Sequence, residues 1–207
     1  MKNKVEKVKK SHIFIVLQKI TLLKKSKKYY IIIVKPERLN SERVTYMNAK
    51  VHELLNQQIN KEFYSAYLYL DFSNYFKAQG LDGFANWYMI QAQEERDHAM
   101  LFYQYLQNEN QEVTLEAIAK PDKKFQSSMD VLKAGLEHEE FVTSLINDIY
   151  GAAFEVKDFR TMQFLDWFVK EQGEEETNAN DLISKMELFG SDARGLYLLN
   201  QELGTRV

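Results

Sequence analysis

Carboxylates interrupt the apolar stripes of this chain at four separate places, and one of them brings an imidazole with it. Glu62 follows Ile59 by three residues and precedes Tyr69 by seven, so all three share one helix face. Glu95 and His98 stand at i and i+3 on the stripe that also holds Gln91 and Phe102. Glu139 falls between Leu136 and Thr143, and Glu171 and Glu175 continue the line of Phe164 and Phe168. An unpaired carboxylate in an apolar core costs several kcal/mol even after relaxation. Four helices that each point an acid inward at one level therefore require cations.

The ligand set is oxygen-rich, with one imidazole and no sulfur, since the chain has no cysteine. Zinc usually takes more His or Cys, and calcium prefers loop carbonyls in flexible oxygen cages. Carboxylates with one imidazole suit iron or manganese, and bundle cores are where di-iron carboxylate sites are built. Two cations sharing a bridging carboxylate would hold dioxygen between two one-electron donors. Taken singly, each element has a plainer reading. A lone Glu-x-x-His is usually an exposed pair of helix charges, and Glu171–Glu176 alone reads as a solvated face. Tyr69 and Trp167 alone read as core aromatics, and His52 and His138 as structural or surface residues. Only the joint pattern carries weight.

The elements that must position these residues read as helices. Apolar residues recur at helical spacing from about Asn48 to Phe76, Gly83 to Gln107, Ser128 to Glu155 and Lys157 to Phe189, with a short amphipathic piece from Ser191 to Leu203. Gly80-Leu81-Asp82-Gly83 separates the first two runs, and Gly190 ends the fourth. Asn108–Ser127, with Pro121 inside, shows no long period. A connection of that length is what a bundle needs to return its chain along its full height. The expected fold class is all-α: a four-helix bundle with a long crossover between the second and third helices and a short fifth helix.

Composition agrees. Eight Gly and two Pro in 207 residues are too few for a sheet-rich fold. Apolar residues at 45% exclude wholesale disorder, and the longest apolar runs fall short of a membrane span. The net charge of −3 conceals two unlike segments. Residues 1–46 hold 11 Lys and 2 Arg against 3 Glu, a net of +10, and residues 47–207 carry −13. The first segment lacks Gly, Ala and Trp and suits neither a secretory signal nor a transit peptide. It is read as a basic, disordered or non-native extension, translated from upstream sequence, with Met47 as the natural start and 47–207 as the functional domain.

The segments NQQINKEFYSAYLYL (56–70), AQEERDHAMLFYQYL (92–106), LEHEEFVTSLI (136–146), FLDWFVKEQGEEE (164–176) and GLYLLNQEL (195–203) resemble the non-haem bacterial ferritins. The similarity covers about Met47 to Leu203 and implies that the expected bundle is ferritin-like. It implies a ferroxidase centre in which Glu62, Glu95 and His98 hold a first iron, and Glu95, bridging, with Glu139 and Glu175 holds a second. Gln172 would lie beside the centre, and Tyr69 near the first iron as an electron donor. Glu94, Glu171 and Glu174, with Glu175 shared, match a third iron site, although Glu94 and Glu174 are equally compatible with exposed surface acids. Val142 and Asn178 stand three residues after Glu139 and Glu175, so the second Glu-x-x-His of bacterioferritins is missing. Arg96 follows Glu95 where bacterioferritins place a haem-binding Met, so no haem is expected.

The resemblance implies iron storage: Fe²⁺ oxidised by O₂ or H₂O₂, with ferric mineral deposited inside a homo-oligomeric shell of 24 subunits. A cytoplasmic location is expected, with neither nucleic acid nor membrane as partner. The rivals are a di-iron or iron–manganese oxidase of a small substrate on the same bundle, and a helical interaction module whose acids are only surface charge.

Overall fold

The computed structural model describes residues 20–25, 28–33 and 47–207, and the chain divides into two units, Met1–Val44 and Thr45–Val207. In the first unit, β1 (Ile20–Lys25) pairs antiparallel with β2 (Lys28–Ile33), Ile20 opposite Ile33 and Lys25 opposite Lys28. The β-branched and aromatic run Tyr29–Ile33 suits a strand, where the sequence reading assigned no element. The expectation for the rest of residues 1–46 lies outside the described residues.

The second unit is the expected bundle: α1 (Ala49–Ala78), α2 (Asp82–Asn108), α3 (Ser128–Glu155), α4 (Phe159–Phe189) and the short α5 (Ala193–Leu203). Its buried positions alternate by three and four residues. In α1 they run Val51, Leu55, Gln58, Glu62, Ser65, Tyr69, Phe72, Phe76, and in α4 Thr161, Leu165, Phe168, Gln172, Glu175 and then, two turns on, Leu182. This 3.5-residue spacing keeps one seam of each helix facing its neighbours. In α3 the seam passes through Gly135 and Val142, while Leu136 and Thr143, read from the sequence as core, are half-buried beside it. Among the described residues, no helix is long and apolar enough to cross a membrane.

Local signals fix the helix ends. Asn48, Ser127, Asp158 and Asp192 cap α1, α3, α4 and α5 with their side chains, Ser127 and Asp130 forming a reciprocal capping box. The start of α2 has no side-chain cap of its own. Asn200 of α5 supplies one, its Oδ1 accepting from Gly83 N at 2.8 Å and Phe84 N at 3.3 Å. Glycine at 83 permits that approach, because a Cβ there would meet the Asn200 carbonyl oxygen at 1.6 Å. The first three helices close alike, with a residue at positive φ just past the last turn: Gly80 at 74°, Asn110 at 56° and Lys157 at 58°. In each, the following N–H bonds back to a carbonyl of the last turn: Leu81 to Phe76 at 3.0 Å, Gln111 to Leu106 at 2.8 Å, Asp158 to Ala153 at 2.9 Å. This closure, with Asp158 as cap, starts α4 at Phe159 rather than at Lys157.

The crossover 109–127 is tethered to α1 by a polar ladder one helical turn apart. His52 Nε2 donates to the Glu112 carbonyl at 2.8 Å. Asn56 exchanges two bonds of 2.9 Å with the backbone of Thr114, and Asn60 donates to the carbonyls of Glu116 and Ala117. Four helical residues rise about 6.0 Å and two extended residues about 6.6 Å. Positions 52, 56 and 60 thus keep step with 112, 114 and 116.

The core falls into two apolar clusters. One gathers Tyr69, Phe72, Phe76, Phe84, Tyr88, Leu132 and Leu182 with Leu199 and Leu203 of α5. The other gathers Val51, Leu55, Ile59, Phe102, Leu106, Ile146, Ile149, Leu165 and Phe168. Each fully buried side chain contributes roughly 1.5–3 kcal/mol. Between the clusters lies a layer that contributes no such term, because its buried side chains are acids and amides.

Candidate metal centre

That layer takes one seam position or more from each long helix: Gln58 and Glu62 from α1, Gln91, Glu95 and His98 from α2, Glu139 from α3, Gln172 and Glu175 from α4, all buried. Glu62, Glu95 and His98 each offer a ligand atom within 4.8 Å of the other two. His98 Nδ1 lies 3.6 Å from Glu95 Oε2. Donors about 2.1 Å from a first-row ion are at most about 4.2 Å apart, so small rotations close this trio on a cation. Among the described residues no other three His, Asp or Glu meet that criterion.

Hydrogen bonds aim the remaining acids. Tyr69 Oη donates to Glu139 Oε1. Gln172 Nε2 donates to Glu139 Oε2 at 3.2 Å and to its main-chain carbonyl at 3.3 Å. Gln91 Nε2 donates to Glu175 Oε2 at 2.7 Å, and Gln58 Nε2 to Glu62 Oε1 at 2.9 Å. The other oxygen of Glu62, Oε2, is buried without a partner. A buried acceptor left over beside Glu95 and His98 fits a cation's ligand set.

Electrostatics point the same way. Burial first, and then the neighbouring acids, hold the Glu62 and Glu95 carboxyls well above their ordinary range. Burial also pushes Glu139 and Glu175 up to about 7, against the opposing pull of their hydrogen-bond donors. Four carboxyls that resist ionisation so close together need either protons or metal ions. Burial and the Glu139 charge raise the Tyr69 phenol, which stays a neutral donor. Trp167 packs its edge on the His98 imidazole at 5.3 Å between ring centroids, yet is 44% exposed. A small cavity of about 20 Å³ touches Tyr69, Gln91, Glu139 and Glu175. It has room for about one water-sized molecule.

The acids matched to a third site are arranged differently. Glu94 and Glu171 are half-buried and Glu174 is exposed. Glu94 pairs with Arg206, and Glu174 with Lys170 at 2.7 Å. His138 stays outside the donor set. Its Nε2 lies 2.7 Å from Ser65 Oγ, whose hydroxyl donates to the Lys61 carbonyl, so the ring donates. Burial and the charges of Lys123 and Lys61 push it down to about 4, a neutral imidazole. The sequence reading missed the roles of Gln58, Gln91 and Arg206. The two glutamines stand one turn before Glu62 and Glu95 on the same seams, a signal open to reading; Arg206 offers none.

A family model for the ferritin-like domain matches residues 52–189. The chain is 39% identical over 155 residues to the bacterial non-heme ferritin of Campylobacter jejuni, covering 75% of this chain and 93% of that protein. It is 35% identical over 155 residues to the Staphylococcus aureus one, with the same coverages of 75% and 93%. The open-pore ferritin of the archaeon Archaeoglobus fulgidus superposes with a TM-score of 0.77 at 41% identity, over 79% of this chain and 99% of that one. With its acidic layer inside a four-helix bundle, the chain belongs to the ferritin family of non-haem iron-storage proteins.

Proposed function

We propose that this chain is a ferroxidase that stores iron, taking Fe²⁺ in pairs at the acidic layer and releasing Fe³⁺ to a mineral within a shell of 24 subunits. Glu62, Glu95 and His98 receive one Fe²⁺; Glu95, bridging, with Glu139 and Glu175 receives the other. Iron is here substrate and cargo, and no haem takes part. Two Fe²⁺ together give up the two electrons that convert O₂ and two protons to H₂O₂. The protein's part is position and charge. Binding of Fe²⁺ displaces protons from the raised carboxyls, Gln172 and Tyr69 hold Glu139 in place, and Tyr69 stands as a local electron donor. Glu94, Glu171 and Glu174 line the route from this centre toward the cavity. A cytoplasmic site of action follows from this role, and residues 1–46 stand outside it.

The observation that carries the reading is the convergence of Glu62, Glu95 and His98 within 4.8 Å, with Glu62 Oε2 unpartnered. The small-substrate oxidase is disfavoured by the cavity at Glu139 and Glu175, whose 20 Å³ admits no organic molecule. The test is to titrate the anaerobic, metal-free protein with Fe²⁺, admit air, and follow absorbance and particle mass together. Two tight Fe²⁺ per chain, oxidised within a large hollow particle, are expected. No stoichiometric uptake would refute both metal readings, and uptake by a small particle would favour the oxidase.

A further inference from the structure

Arg206, in the segment after α5, reaches back across α2 to the edge of the acidic layer. Its guanidinium lies 4.2 Å from the centre of the Trp87 ring, an arrangement that favours a cation over an aromatic face. Nη2 pairs with Glu94 Oε2, and Nη1 donates to Gln91 Oε1 at 2.8 Å. Asn86 Nδ2 donates to the Arg206 carbonyl at 3.0 Å, anchoring the backbone as well. The side chain is only 19% exposed. A planar guanidinium stacked and bonded at two edges is held far more firmly than an exposed lysine of the surface.

Two consequences follow from these contacts. Gln91 has one oxygen and one NH₂ to offer. With its oxygen taken by Arg206, it presents the NH₂ to Glu175, a proposed ligand of the second iron. Meanwhile Glu94, whose position matches a third-site acid, already has a fixed positive charge beside it. A metal ion at Glu94 would have to displace that guanidinium or share the space with a like charge.

We propose that Arg206 is a built-in counter-cation of the third site. It neutralises Glu94 and orients Gln91 toward Glu175, and so limits each chain to two tightly held iron ions. It is a positioning residue, and this role rests on the di-iron reading above.

Anaerobic calorimetric titration of the metal-free, full-length protein with Fe²⁺ tests it by counting equivalents. The parent chain and Glu94→Gln are expected to take two per chain, because Glu94 is already committed. Arg206→Gln is expected to take three, and adding Glu94→Gln to it returns the count to two. Arg206→Lys, which keeps the charge, stays at two. A latch that only fastens the segment after α5 would lower the melting temperature of Arg206→Gln and leave its count at two, which overturns the proposal. A parent count of three that falls to two in Glu94→Gln overturns it as well, without any Arg206 variant having to fold. A parent count below two defeats the di-iron reading, and this inference with it.

Discussion

Gln58 Nε2 stands 2.9 Å from Glu62 Oε1 and leaves Glu62 Oε2, the other oxygen of the same carboxylate, buried and unpartnered. In a metal-free protein only a proton shared with Glu95 can meet that oxygen, and an unmet buried acceptor costs about 1–3 kcal/mol. Glu62→Gln is isosteric and uncharged, keeps an oxygen for Gln58 Nε2, and turns an NH₂ toward the Glu95 carboxylate. The metal-free variant is therefore expected to be about 1–3 kcal/mol more stable to denaturant than the parent. Its Fe²⁺ affinity should fall at least tenfold, as measured by anaerobic calorimetry. A metal-free variant less stable than its parent would show that Glu62 serves the fold rather than an ion.

The raised carboxyls predict an unusual pH dependence. Glu139 and Glu175 titrate near 7 in the folded chain against 4.5 when exposed, and Glu62 and Glu95 are also raised. Between those values the folded state binds more protons than the unfolded state, so stability falls as pH rises. The contribution is complete below about 4.5 and lost once pH passes about 7. Thermal melts in chelator should give a higher Tm at pH 5.5 than at pH 7.5, and Fe²⁺ should reverse the order. A double variant, Glu139→Gln with Glu175→Gln, should weaken the dependence and leave the part due to Glu62 and Glu95; a metal-free Tm that climbs from pH 5.5 to 7.5 would contradict the burial of these acids.

Much of this arrangement was legible because helical seams are periodic. Glu62, Glu95, His98, Glu139 and Glu175 could be placed on buried stripes from spacing alone, and all five are buried. What spacing cannot convey is which polar atoms meet across helices. The pairing of Gln91 with Glu175, 84 residues away, depends on how two helices are rotated about their axes. The cap that Asn200 gives α2 lies 117 residues from Gly83. Arg206 sits outside any helical period, so no pattern marks it. A seam is also broader than one residue, which explains why Leu136 and Phe164 read as core and lie at its margin, while Val142 and Leu165 fill it.

The ladder from α1 to the crossover makes a local prediction. Asn56 gives one hydrogen bond to the Thr114 carbonyl and receives another from its N–H, both at 2.9 Å and both exposed. A net hydrogen bond is worth about 0.5–1.5 kcal/mol, less where water competes. Asn56→Ala should cost about 1 kcal/mol of global stability. Amide exchange in residues 112–117 should accelerate while that of the helical seams is unchanged, as read by hydrogen–deuterium exchange mass spectrometry. Equal acceleration across α1 would mean that Asn56 holds the helix rather than the crossover.

Two backbone substitutions should stabilise the bundle without touching the centre's ligands. Gly173 lies within α4 with nothing inside 4 Å of where a Cβ would stand, so Gly173→Ala adds no clash and removes the entropy penalty of a mid-helix glycine. A gain of about 1 kcal/mol is expected. Lys157 closes α3 at φ 58°, a conformation that costs an L-residue about 1–2 kcal/mol. Glycine removes that cost, though it frees the unfolded chain as well, so Lys157→Gly should gain somewhat less. Gly80→Ala is the opposite case. The φ of 74° at Gly80 strains any side chain there even though the space around it is open. The conformation rather than the contacts decides the sign. Chemical denaturation of the three metal-free variants should therefore rank Gly173→Ala and Lys157→Gly above the parent and Gly80→Ala below it; a stabilised Gly80→Ala would refute the left-handed closure of α1.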